Sequence, residues 1–93
     1  MSTSIGRSQD IANRLQDLRQ ILTGKPEAAG FLKFFEDFLE EGEFGLALHA
    51  VCDYLLEPDV PAVDGPTMER IRYLHALMEI RDECVDQLNA KIA

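Results

Sequence analysis

Apolar positions recur every three or four residues along most of this chain and nowhere in sustained alternation, which predicts helices and no strands. A first helix is expected from about Ser8 to Leu22, carrying Ile11, Leu15, Leu18 and Leu22 on one stripe. Ser8 suits its N-cap, and Gly24 follows its end. Residues 1–7 then form a frayed N-terminus. A second helix from Pro26 to Glu41 divides sharply: Phe31, Phe34, Phe35, Phe38 and Leu39 share a side, while Glu36, Asp37, Glu40 and Glu41 join Lys33 on the other. Pro26 fits a first helical turn and Gly42 a helix end. The phenylalanine side is expected to be core.

The third segment, Glu43 to Glu57, is apolar nearly all round, as expected of a helix at the centre of its domain. Phe44, Leu48, Val51, Cys52 and Leu55 make its stripe. His49, Asp53 and Glu57 make its polar edge, and Pro58 to Pro61 stops it. From Pro66 to the C-terminus no glycine or proline intervenes. Met68, Ile71, Leu74, Met78, Val85, Leu88 and Ile92 keep helical spacing, interrupted at Arg81. One last helix about 40 Å long is therefore expected, long enough to overhang, bend or meet a second copy. The fold class predicted is all-α: residues 1–93 as a single-domain bundle of about four helices, the last one long.

Length and composition support one domain. Ninety-three residues leave no room for a second core, and 46% hydrophobic residues is ordinary for a globular chain. No apolar run approaches the ~18 residues of a membrane span, and the polar N-terminus does not resemble a secretory signal. Cys52 and Cys84 stand 32 apart without a CxxC motif, among apolar neighbours. They are expected to be buried and reduced, in the cytoplasm.

Charge changes the picture more than composition does. From Phe34 to Glu69 there is no lysine or arginine, but there are ten carboxylates, including Glu36, Asp37, Glu40, Glu41, Glu43, Asp53, Glu57 and Asp59. The other seven acids face all nine bases, so the ends sum to +2 and the middle to −10, giving the net −8. A face kept only for solubility interleaves both signs. Here Glu36/Glu40, Asp37/Glu41 and Asp53/Glu57 are like-charge i, i+4 pairs, which oppose helix formation. The block therefore predicts a strongly basic partner. It argues against direct nucleic-acid binding, which needs a basic face.

Enzyme chemistry finds little footing. The serines lie only at Ser2, Ser4 and Ser8, so no hydrolytic triad is expected. His49 with Asp53 and His75 with Glu79 sit at i, i+4, but zinc centres usually take three or four protein ligands. Glu36 and Glu40 lack the Glu-x-x-His partner of carboxylate-bridged di-iron bundles. Gly42 and Gly45 lie in acidic surroundings that repel phosphate. No catalytic residue, metal or cofactor is assigned.

The run EGEFGLALHAVCD, Glu41 to Asp53, followed by Asp59-Val60-Pro61, resembles the signature region of the MafI-type immunity proteins. These are small antitoxins of polymorphic and contact-dependent growth inhibition systems. The matching positions are Glu41, Gly42, Glu43, Phe44, Gly45, Leu46, Ala47, Leu48, Cys52, Asp53, Asp59, Val60 and Pro61. The chain departs from the pattern at His49-Ala50, where acidic residues are expected.

The resemblance implies a helical cytoplasmic protein, not an enzyme, that neutralises one cognate toxin domain. Such toxins are frequently nucleases, including EndoU-like RNases, whose basic active sites a carboxylate array can occupy or cover. Partner contacts are assigned to Glu36, Asp37, Glu40, Glu41, Glu43, Asp53, Glu57 and Asp59, with Tyr54 as an aromatic anchor. Phe44, the other aromatic of this region, is assigned to the core. The rival expectation is a helical adaptor or homodimeric scaffold built on the long last helix. A carboxylate-metal enzyme is a distant third.

Overall fold

A computed structural model describes residues 3–92, and among them there are helices and no strand. Five α-helices follow one another: α1 Thr3–Leu18, α2 Ala29–Glu40, α3 Phe44–Leu55, α4 Gly65–Leu77 and α5 Cys84–Ile92. Helix α1 begins upstream of the expected start, so Ser8 lies inside it rather than capping it, and the frayed segment placed at 1–7 is helical from Thr3 onward. A 3-10 turn, Arg19–Ile21, completes α1, and another, Pro26–Ala28, leads into α2.

Helix α3 is the axis of the domain. Ala47, Leu48, Ala50, Val51, Cys52, Tyr54 and Leu55 are all buried on it, as its near-continuous apolar surface requires. Helix α2 lies along one side, α1 crosses α3 and α4, and α5 rests on α3 and α4. Phe35, Leu15, Leu18, Leu22, Ile71, Leu74 and Leu88 close the core around it.

The long last helix does not form; it is broken between Leu77 and Cys84. The break is a helix-ending motif: Glu79 N–H donates to Ala76 O (3.2 Å) and Ile80 N–H to His75 O (2.9 Å), with Glu79 at φ 55°. This pair of bonds satisfies carbonyls that would otherwise be left at the helix end. Glycine normally occupies the left-handed position, as Gly42 does (φ 75°) in the matching motif that ends α2. With glutamate there, the sequence shows no stop signal. What is gained is packing: Ile80 turns inward against the Gly45 face of α3, and Cys84 and Leu88 fold back onto the core.

Helix α5 has only nine residues, too few for stability on its own. It is fastened at both ends. At its start Cys84 is disulfide-bonded to Cys52 of α3. At its end Lys91 Nζ donates to the carbonyls of Leu55 (2.6 Å), Glu57 (3.0 Å) and Val60 (2.6 Å), filling the C-terminal vacancy of α3. The disulfide corrects the expectation of two reduced cysteines. Burial of both was expected rightly, but the fold brings them together across 32 residues of sequence. Asp64 caps α4 by accepting from Thr67 N–H at 2.8 Å, two residues before Pro66 in the first turn. These hydrogen bonds from Thr67 hold the Asp64 carboxyl below its ordinary range.

Candidate functional site

The apolar arc of α2 is wider than α3 can cover. At 100° per residue it runs roughly 160° from Phe34 to Leu32, and only its middle meets the core. Phe35 in that middle is fully buried, whereas Phe34 at the edge is 58% exposed. Leu46, on the facing side of α3, is 46% exposed. Between them opens a groove of about 290 Å³ lined by Phe31, Phe34, Phe38, Leu46, Ala50 and the edge residues His49 and Asp53. The Phe34 and Phe38 rings stack with centroids 6.3 Å apart, giving one wall a flat aromatic surface. The sequence assigned all these phenylalanines to the core. The signal against it was the width of the arc.

The carboxylates of α2 form one continuous solvent face whose two edges border different things. Asp37 and Glu41 follow Phe34 by three and seven residues and so flank the aromatic wall. Asp53 borders the groove from α3, 3.3 Å from the ring nitrogen Nε2 of His49. Glu36 and Glu40 lie at the other edge, lining a shallow hollow with Gln16 and Arg19 of the α1 segment. There Arg19 holds Glu36 at 2.6 Å. Lys33 lies 3.6 Å from Asp37. Folding thus brings two bases against the block. Both pairs are exposed and contribute at most about 1 kcal/mol each.

The remaining sequence-assigned positions do not converge on the groove. Glu43 precedes α3 and lines a depression with Arg7, Phe44 and Met78. Glu57 and Asp59 follow α3 at its opposite end, exposed, with Glu43 and Glu57 about 21 Å apart along the axis. No ion pair joins Glu40, Glu41, Glu43, Glu57 or Asp59 among the described residues.

Tyr54 is not a surface anchor. It is 3% exposed, with its ring edge-on to Phe31 at 5.6 Å and its hydroxyl 3.3 Å from Glu27. Burial, reinforced by the Glu27 charge and hydrogen bond, raises its phenol above the ordinary range. Phe44 is half-buried against the core, as expected.

Of the two histidine pairs, His49/Asp53 meets across its helix face as its spacing suggested, and His75/Glu79 does not. His49 and Asp53 face each other on the surface. Glu79 has left the helix, and His75 instead meets Asp82, with its Nε2 3.1 Å from Asp82 Oδ1. No triad of hydroxyl, base and carboxylate converges on any of the depressions described.

An exposed aromatic groove with a carboxylate border is the anatomy of a docking face: an apolar centre for affinity and a charged rim for orientation. No helix among the described residues is long and apolar enough to cross a membrane. No family model, curated protein or solved structure matches this chain.

Proposed function

We propose that this protein is an immunity protein: it binds a basic toxin domain, a nuclease by preference, and blocks it without chemistry of its own. The observation that carries the proposal is the Phe34–Leu46 groove bordered by Asp53, with Asp37 and Glu41 beside Phe34 by their helical spacing. A nuclease presents lysine and arginine around its phosphate site, so its rim is complementary to these carboxylates. An apolar side chain projecting from that domain would fill the groove. Opposite charge speeds capture, to about 10⁸–10⁹ M⁻¹s⁻¹ at low salt. The resemblance of residues 41–61 to MafI-type immunity proteins supports the same assignment, as does the unbalanced −10 of residues 34–69. The cytoplasm is the compartment such a role requires.

The homodimeric scaffold fits less well. It relied on a long final helix, and α5 has nine residues. Two copies meeting at the groove would also bring together two chains of net charge −8.

The test is capture of a basic C-terminal toxin domain, sought first in the gene upstream of this one, followed by titration across ionic strength. Asp37→Lys with Glu41→Lys is expected to weaken capture at least ~100-fold, the effect of losing a charged hot spot, and to flatten its salt dependence. Glu43→Lys and Glu57→Lys, at the far ends of α3, are expected to change it less than ~5-fold. Equal losses from all four positions would remove the groove from the mechanism. A protein that sediments as a dimer and ignores the toxin domain would favour the scaffold.

A further inference from the structure

Cys52 of α3, Cys84 of α5 and His75 of α4 converge at one buried point, their ligand atoms all within 4.8 Å of one another. The three side chains come from three helices and are each at least nine-tenths buried. His75 Nδ1 lies 2.9 Å from Ile71 O, a carbonyl that can only accept, so Nδ1 carries the proton and Nε2 keeps a lone pair. That lone pair faces Asp82 Oδ1 at 3.1 Å. Two acceptors this close need something positive between them, a proton or a cation. Asp82 is itself oriented by the Cys84 N–H, which donates to Oδ1 at 3.0 Å. A cavity of about 230 Å³ opens from solvent onto this point, with Asp53, Asp82 and Glu83 in its walls. It gives a hydrated cation a negatively charged way in.

We propose that reduced Cys52 and Cys84 with His75 Nε2 form a site for zinc, and that the Asp82 carboxylate, beside His75 but outside the convergent set, swings in to complete the tetrahedron. The metal then replaces the disulfide as the tie between α3 and α5. Two thiolates and an imidazole are the donor set zinc prefers. The Ile71 carbonyl behind Nδ1 is the outer partner that fixes a ligating histidine in the required tautomer.

Two thiolates about 2.3 Å from one tetrahedral metal stand about 3.8 Å apart, so the sulfurs need only separate from bonding distance. The balance is simple. Two equivalents of a cellular thiol are oxidised to one disulfide and deliver two electrons and two protons to the Cys52–Cys84 bond, giving two thiols. Zinc binding then releases the two thiol protons. In a reducing compartment, where disulfides are rare, the fold keeps this fastening through the metal. The inference stands whether or not the toxin assignment does.

The full chain, reduced with a phosphine and freed of phosphine and metal under argon, is titrated with Co²⁺ as an optical probe. Zn²⁺ is then added in competition. One equivalent per chain should give tetrahedral ligand-field bands and a thiolate charge-transfer band, both erased by zinc. The oxidised protein should give neither. Cys52→Ser and Cys84→Ser are each expected to weaken Co²⁺ binding at least ~100-fold, and the exposed Asp82→Asn about 10–100-fold. Circular dichroism of Asp82→Asn establishes that it is folded. Absence of the bands from reduced wild-type protein overturns the proposal. Bands of undiminished affinity in Cys52→Ser or in the oxidised protein do so equally.

Discussion

Helices α2 and α3 hold together by buried apolar area and still leave Phe34 and Leu46 in solvent, whereas α5 buries only Cys84 and Leu88 outright. Helix α5 is fixed instead by specific ties: the Cys52–Cys84 bridge, the Lys91 clasp and the His75–Asp82 contact below it. Charge follows the same division. The α2–α3 half carries most of the uncompensated carboxylates, and the α4–α5 half carries Arg70, Arg72, Arg81 and Lys91. The contrast teaches where surplus lies. A pair that is overdetermined by packing has apolar and acidic surface to spare for a partner. A short helix with little area depends on specific ties, even though its own Ile92 stays half exposed.

The largest expected effect probes the packed half. Phe35→Ala should cost about 3–5 kcal/mol in urea unfolding, because it empties a fully enclosed site, whereas Phe34→Ala one residue away should change stability by less than about 1 kcal/mol. If the two substitutions cost the same, the groove is not an open surface. The complementary experiment breaks the tied half. Reducing the bridge in the presence of a chelator should lower stability by about 3–4 kcal/mol, the loop-closure value for a separation of 32 residues.

Lys91→Met, which keeps the aliphatic stem, should cost about 1–3 kcal/mol. It should also speed amide exchange at the end of α5 while α2 stays protected. The smallest effect concerns the cap of α4. The lowered Asp64 carboxyl contributes stability above the ordinary carboxyl value, 3.8, and loses it as pH falls through its own lower value in the folded state. Asp64→Ala should therefore melt below wild type at pH 7, and the gap should narrow toward pH 2.

The helical class and the positions of α2, α3 and α4 were legible in the apolar spacing, because three-and-four recurrence is what a helix packed on one side must show. The central place of α3 was legible for the same reason. What the spacing hid was the end of α4, because Glu79 adopts a left-handed backbone usually reserved for glycine. Arg81, out of place on the stripe, was the one trace of that break. The disulfide was invisible because no local motif links positions 52 and 84; only three-dimensional closure does. At the candidate site, exposure of the acids was legible, but their division between two edges was not. It depends on which neighbours α2 finds, Arg19 on one flank and α3 on the other. Tyr54 looked like an anchor and Phe34 like core; the fold exchanges their roles.

The bridge between Cys52 and Cys84 also encloses the whole of α4 and the proline-containing linker before it in one covalent ring. A protease that nicks the exposed strand of chain around Pro58 to Ala62 therefore leaves two peptides that cannot drift apart. The damaged molecule still migrates as one species on a gel without reductant, and it can re-close around its own cut.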